Sequence, residues 1–281
     1  MNKILAINCS QEITNAITKF LGNNISIQSE VFKEGMSLND PDMIILEMGQ
    51  NQNLDLEHIR KIRYSCNFKN LPIVLMDSHG NPPSMEFYLS AGATEILSIN
   101  DPPAACRHIL QSYLIPDRAP LEKEMEYLLP FIHNTCDVLK TMASMEATFK
   151  EVYFSDDFRT FGDISGIIGL HGGAEGTLVV TFYWDLAQKI IAKMMTVEEH
   201  NINAELIHDG VAELINMIGG STKKDFVGNQ YHFDITLPSV VIGSGHQICH
   251  PGDASIAILI FNVDKYSFAL QVCIKPDMPG R

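Results

Sequence analysis

Asp42-Met43-Ile44-Ile45-Leu46-Glu47-Met48 places four apolar residues in a row, with an acid on either side. A strand with one wet face alternates apolar and polar residues. This one does not, so it reads as a strand buried on both faces, as in a parallel sheet. Working outward, similar strands read at residues 3–7 and 71–76, a last one at 94–99 and a weaker one at 25–32. Helical spacing fills the intervals: Ile13, Ile17 and Phe20 within 11–21, an amphipathic stretch at 54–64, a helix over 83–91 stopped by Gly92, and another over 102–114. Strand followed by helix, repeated along about 115 residues, predicts an α/β, doubly wound, flavodoxin-like domain.

The pattern changes at residues 116–121, where Pro116 and Pro120 flank polar residues and read as a linker. This puts one domain at 1–118 and a second at 119–281. A helix is expected over 122–145, then strands at 164–171 and 176–183. Gly172, Gly173, Ala174, Glu175 and Gly176 form a tight turn between them, with glycines supplying positive φ. Helices follow at 185–195 and 204–226, and strands at 233–242, 254–263 and 268–274. Strands grouped with strands predict an antiparallel sheet packed by helices, an α+β domain.

Composition narrows the function. Lys+Arg number 20 and Asp+Glu 34, a net charge of -14. That excludes neutralisation of nucleic-acid phosphates as the main task and disfavours an anionic membrane surface. Counted by domain, residues 1–121 carry 9 − 13 = −4 and residues 122–281 carry 11 − 21 = −10. The first ten residues are too short an apolar run for a signal peptide, and no apolar stretch is long enough for a transmembrane helix. Cys9, Cys66, Cys106, Cys136, Cys249 and Cys273 are scattered without a C-x-x-C pair. They read as free, mostly buried thiols in a reducing cytoplasm. His246, Cys249, His250 and Asp253 have a spacing that suits a metal, but the segment reads as a polar connection and no metal site is expected. Asp156-Asp157 reads as a solvated turn, and Met142, Met145, Met194 and Met195 as core filler. Glycine-rich nucleotide motifs and the G-x-S-x-G elbow are absent.

Chemistry concentrates in the helix over 204–226. On a wheel of ~100° per residue, Ile207, Val211, Leu214, Ile215 and Ile218 share one side. Asp209, Glu213, Asn216 and Gly220 share the other. Glu213 and Asn216 are i, i+3 neighbours, so their side chains emerge together. A solvated face explains the pattern; so does a binding face. Gly219 and Gly220 cost about 1 kcal/mol each relative to alanine inside a helix, and close approach by a partner's backbone is one compensation.

Pro41-Asp42-Met43-Ile44-Ile45-Leu46-Glu47, Leu71-Pro72-Ile73-Val74-Leu75-Met76 and Ala91-Gly92-Ala93 before Thr94-Glu95-Ile96-Leu97 resemble the receiver domain of two-component response regulators, over about residues 2–115. That family needs acids after the first strand for Mg²⁺, an aspartate that accepts phosphate, a Thr or Ser after the fourth strand and a Lys after the fifth. Here the positions read Asn8-Cys9, Glu47, Asp77 (with Ser78 next) and Ile99. The resemblance therefore implies a degenerate receiver, neither phosphorylated nor Mg²⁺-dependent. It is a retained scaffold, or a domain in which Glu47 mimics a phosphorylated aspartate.

The second domain resembles the CheX family of chemotaxis phosphatases, related to CheC and the flagellar switch phosphatases, over about residues 125–275. The resemblance rests on Glu213-x-x-Asn216, on Ile167-Ile168-Gly169-Leu170-His171-Gly172-Gly173-Ala174-Glu175-Gly176-Thr177-Leu178, on the helix ending in Met194-Met195, and on Asp234-Ile235-Thr236-Leu237-Pro238-Ser239-Val240-Val241. It implies hydrolysis of an aspartyl phosphate on a separate, CheY-like receiver. Asn216 positions the attacking water, Glu213 pairs with the receiver's lysine, and Asp209, Gly219 and Gly220 face the partner. It implies no cofactor of its own, with Mg²⁺ held by the partner, and a homodimer. The competing expectation is a non-catalytic module that sequesters a phosphorylated regulator or serves as a structural partner at the flagellar switch.

Overall fold

The structure is a computed structural model and describes residues 2–22, 25–33, 38, 41–65, 71–79, 85–114, 122–155, 162–243, 246, 248, 250 and 255–276. The chain divides into two compact units, Met1–Pro116 and Asp117–Arg281. The predicted linker at 116–121 and the Asp156-Asp157 turn lie outside the described residues.

The first unit runs β1 (Asn2–Ile7), α1 (Gln11–Leu21), β2 (Ile25–Glu30), β3 (Met43–Glu47), α2 (Gln52–Ser65), β4 (Ile73–Asp77), α3 (Met85–Ser90), β5 (Glu95–Ser98) and α4 (Pro103–Tyr113). All strand pairs are parallel, in the order β2-β1-β3-β4-β5. The unbroken apolar run of β3 has the cause its pattern implies. Met43 and Ile45 join Ile13, Ile17 and Phe20 of α1 in one core cluster, while Ile44 and Leu46 join Ile59 and Ile62 of α2 in another. Arg63, unremarked in the sequence, is buried near the end of α2 and donates to the carbonyls of Leu71 (2.7 Å) and Gly92 (2.7 and 3.0 Å). It ties α2 to the turn that follows α3. Gly92, with φ +107°, closes that turn, and a Cβ there would lie 2.9 Å from Arg63 Cγ.

The second unit runs α5 (Glu122–Ala143), β6 (Ala147–Ser155), β7 (Ile164–Gly172), β8 (Ala174–Phe182), α6 (Trp184–Met195), a 3₁₀ turn (Glu199–Asn201), α7 (Ala204–Asp225), β9 (Phe233–Ile235), β10 (Ser239–Ile242), β11 (Ile256–Val263) and β12 (Tyr266–Pro276). The sheet is antiparallel, in the order β10-β7-β8-β12-β11-β6, with β9 also on β7. Inward residues such as Ile168, Val180, Leu259 and Leu270 share one core with α5, α6 and α7.

Three expectations need correction. The sequence reading leaves no strand at β6. The register there shifts between Ile260 and Phe261, so that Lys150 is passed over and Phe149 and Val152 both pack against the core. A bulge of this kind erases the period-2 signal. The single strand expected over 233–242 is two, interrupted between Ile235 and Ser239. Met145 is buried, and Met142 and Met194 pack against the core, but Met195 is 46% exposed and fills nothing. Among the described cysteines, Cys106 and Cys273 are buried and Cys9 and Cys136 half-buried. Burial pushes all four thiols up, Cys9 to about 12, so none is poised as a thiolate.

The sheet's other face carries the buried polar residues Ser165, Thr181 and Gln271. His246 and His250 bond to Ser165 and Gln271, and Ser165 to Thr181. His246 Nε2 lies 2.7 Å from Ser165 Oγ, which lies 2.6 Å from Thr181 Oγ1. His250 Nε2 donates to Gln271 Oε1 (2.8 Å), so its Nδ1 accepts from the Thr177 hydroxyl (2.5 Å). Both ring nitrogens of His250 are thereby occupied. Among the described residues no group of three or more His, Cys, Asp or Glu is placed to hold a metal, and Cys249 and Asp253 lie outside them.

Burial lowers the pKa of His250 from 6.5, with the Gln271 hydrogen bond opposing. The folded state favours the neutral ring, so the unfolded chain takes up the proton first. This contribution to stability is full above about pH 6.5 and declines below it. Thermal melts between about pH 7.5 and 5.5 should show a shallower loss of Tm for His250→Asn than for the wild type. Equal losses in both would remove His250 as the cause.

Candidate functional site

α7 starts on Asn203, whose side chain accepts from Leu206 N at 2.9 Å and so satisfies one of the free N–H groups of the first turn. Its apolar stripe lies where the periodicity puts it: Ile207, Val211, Leu214, Ile215 and Ile218 are all buried. Two glycines set how deeply the helix sits. A Cβ on Gly166 of β7 would stand 3.1 Å from the Val211 carbonyl oxygen, and one on Gly210 would stand 2.4 Å from Ile191 Cδ1 of α6. At its C-terminal end, Asn134 of α5 accepts from the Ser221 hydroxyl (2.5 Å) and donates to Asp225 (2.7 Å). Lys223 pairs with Asp234 in the middle of β9, and that contact lowers the Asp234 pKa.

The opposite face is thereby held toward solvent. Asp209 and Glu213 are exposed, and Asn216 and Gly220 half-buried. Asp209 lies 3.1 Å from His208 Nδ1. Among the described residues, neither Glu213 nor Asn216 makes a side-chain hydrogen bond or ion pair within the chain. A carboxylate and an amide stand side by side on a rigid helix, with their hydrogen-bonding capacity unspent.

Gly219 does not belong to that face. It is buried against Ile168 and Ile235 of its own chain, with a Cβ at ordinary contact distance, 3.6 Å. The close approach that glycines permit lies instead at Gly166 and Gly210, which sequence reasoning missed. A glycine inside a helical pattern is the available signal for Gly210.

The first unit places Asn8, Cys9, Glu47, Asp77 and Ile99 at the carboxyl ends of β1, β3, β4 and β5, the end where open α/β sheets bind ligands. Each is already engaged. Asn8 Oδ1 accepts from Phe32 N (2.8 Å), and the Cys9 Sγ lies 3.4 Å from Ile7 O and 3.5 Å from Ile45 O, with one S–H to give to either. Glu47 accepts from Ser10 N (2.5 Å) and from the Ser78 hydroxyl (3.0 Å). Asp77 is buried and accepts from His79 N (2.8 Å), while Ile99 packs into the α1–α4 core. The hydroxyl that reaches position 47 belongs to Ser78, one residue beyond the expected place. Ser10 is a further participant that strand matching did not indicate.

Comparison with known proteins adds the family. The family described as chemotaxis phosphatase CheX matches residues 164–262. The CheY-P phosphatase CheX of Thermotoga maritima is 34% identical over 109 residues, covering 38% of this chain and 69% of that protein. Among solved structures, a chemotaxis protein CheX from Desulfovibrio desulfuricans superposes with a TM-score of 0.50 at 27% identity, covering 53% of this chain and 99% of that one. The β7–β8 hairpin, α7, β9, β10 and all but the last residue of β11 fall within the matched residues, and this chain belongs to the CheX family.

Proposed function

We propose that this chain dephosphorylates the aspartyl phosphate of a separate CheY-like receiver. One observation carries the reading: Glu213 and Asn216 are presented together on α7 with no partner among the described residues. The name of the Thermotoga maritima relative, CheY-P phosphatase, supports it.

The chemistry asked of this chain is small. A phosphorylated receiver holds the Mg²⁺, its own lysine and the phosphoryl group, so the chain needs no cofactor of its own. What is missing is a water held in line with the P–O bond. The Asn216 amide donates from Nδ2 to a phosphoryl oxygen and accepts from the water at Oδ1. The water oxygen bonds to phosphorus, the bond to the aspartate oxygen breaks, and the proton leaves with the phosphate. This is catalysis by positioning, as with the water-orienting glutamine of GTPases. Glu213, exposed and one turn away, pairs with the receiver's lysine and fixes the docking angle. Asp209 adds negative charge on the same face, and Gly220 leaves room for the partner. A homodimer joined at a sheet edge and a cytoplasmic location belong to the same reading; among the described residues no helix is long and apolar enough to cross a membrane.

The second domain does not act on its own first domain. Glu47 is already bonded to Ser10 and Ser78, and Ile99 offers Glu213 no lysine. Acetyl phosphate with Mg²⁺ should leave the first domain unlabelled, and phosphate found on it by mass spectrometry would refute this.

Asn216→Ala should abolish accelerated decay with the circular dichroism melt unchanged. Glu213→Ala should raise KM more than it lowers kcat. Sub-stoichiometric chain clears the phosphate if it is catalytic, whereas a sequestering module protects it. Phosphate release at the wild-type rate from Asn216→Ala would end the mechanism. Gly220→Ala adds a methyl 3.8 Å from Ile235 Cδ1, an ordinary contact. It should stabilise the fold by about 0.5–1 kcal/mol while raising KM, and a raised Tm with unchanged KM would remove Gly220 from the docking face.

A further inference from the structure

Leu237 is 89% exposed, yet its backbone is held firmly. Ile235 stands opposite Leu170 of β7, and Thr236 opposite Gly169. Thr236 N donates to Gly169 O (3.0 Å), Gly169 N donates to Thr236 Oγ1 (2.9 Å), and the same hydroxyl donates to Leu237 O (3.0 Å). Ser239 then stands opposite Ile167. Ile168 alone therefore faces two residues, Leu237 and Pro238. That is a β-bulge, a device that re-aims a side chain and is frequent beside active sites. Gly169 is part of it, because a Cβ there would lie 2.9 Å from Thr236 Cγ2.

The bulge borders the candidate site. α7 packs on β7, β9 and β10, and Gly220, on the face of Glu213 and Asn216, meets Ile235, two residues from Leu237. The acids Asp209 and Glu213, the amide of Asn216 and Gly220 share one face of α7, and Leu237 stands on the segment between β9 and β10, the two strands on which that helix packs. We infer that Leu237 is a specificity-determining anchor, buried by the receiver when its phosphoryl group reaches Asn216; this rests on the reading under Proposed function. A second copy of this chain fits the place poorly. Pro238 has no N–H to give, and a bulge together with a proline blunts a sheet edge against strand addition. The acids Asp209 and Glu213 on α7 suit the cationic lysine and Mg²⁺ of a receiver's phosphorylation site.

The test uses the full chain and phosphorylated receivers from the same cell, with binding of beryllofluoride- and Mg²⁺-loaded receiver measured in parallel. Leu237→Ala should raise KM and the Kd of the loaded receiver about tenfold, with kcat changed by no more than about twofold. Leu237→Asp should raise both further. Unchanged KM and Kd in both variants would overturn the inference, as would a loss of kcat at unchanged KM. A changed sedimentation coefficient would also overturn it, by assigning Leu237 to a contact between copies. A wild-type chain that binds loaded receiver through Leu237 without speeding decay would overturn the phosphatase reading alone, and a chain that binds no receiver would overturn both.

Discussion

At Gly166 the backbone of β7 comes so close beneath α7 that a methyl group would stand 3.1 Å from the Val211 carbonyl oxygen. On the neighbouring side Gly210 admits Ile191 of α6, where a methyl would collide outright. Forcing bulk into such a contact costs about 1–3 kcal/mol, so the helix has one depth and one rotation. Rotation matters because successive residues are ~100° apart. One step of slip would replace Asn216 by Met217 on the outer face. The hydrogen bonds of Asn134 to Ser221 and Asp225, and the Lys223–Asp234 pair, hold the far end.

Such a seat is what catalysis by positioning demands. An amide that only orients water supplies no proton and no charge. Its effect comes from a geometry fixed before the substrate arrives, and it is lost when the reacting atoms are misplaced by about 1 Å. Rigid elements hold geometry better than loops do. α7 is a long helix buried along one face and capped at Asn203, so Asn216 is held on a rigid support while staying half-exposed. Thr236, bonded to Gly169, performs the same service for Leu237 at the sheet edge.

Much of this was legible in the residues, and the exceptions share a cause. β3 could be read because burial on both faces leaves an unbroken apolar run. α7 could be read because its period survives along its whole length, and the buried set matches the wheel. β6 was invisible because a register shift at Lys150 breaks alternation. The second bulge, at Leu237-Pro238, hid the break between β9 and β10. Both are long-range facts about a partner strand, which a local window cannot contain. Gly219 departs from the expected face for a related reason: the cost of a helix glycine shows in the sequence, but the identity of its neighbour, here Ile168, does not. Ser78, one residue beyond the matched position, supplies the hydroxyl because which of two adjacent side chains turns toward Glu47 is set by the loop after β4.

The two units carry the same kinds of group and differ in whether those groups are satisfied. Glu47 accepts from Ser10 and Ser78, Asn8 from Phe32, and Asp77 from His79. Such a site has closed on itself: a ligand would have to break bonds already made, each worth about 1 kcal/mol net, before it could form its own. Glu213 and Asn216 have made no comparable bonds among the described residues. On the proposed reading, a receiver's lysine and phosphoryl oxygen would exchange only with water there, with no bond within the chain to break first. Net charge does not separate the units, since both are acidic, at −4 and −10. The discriminating quantity is unspent hydrogen-bonding capacity on a rigid support, and it lies on α7.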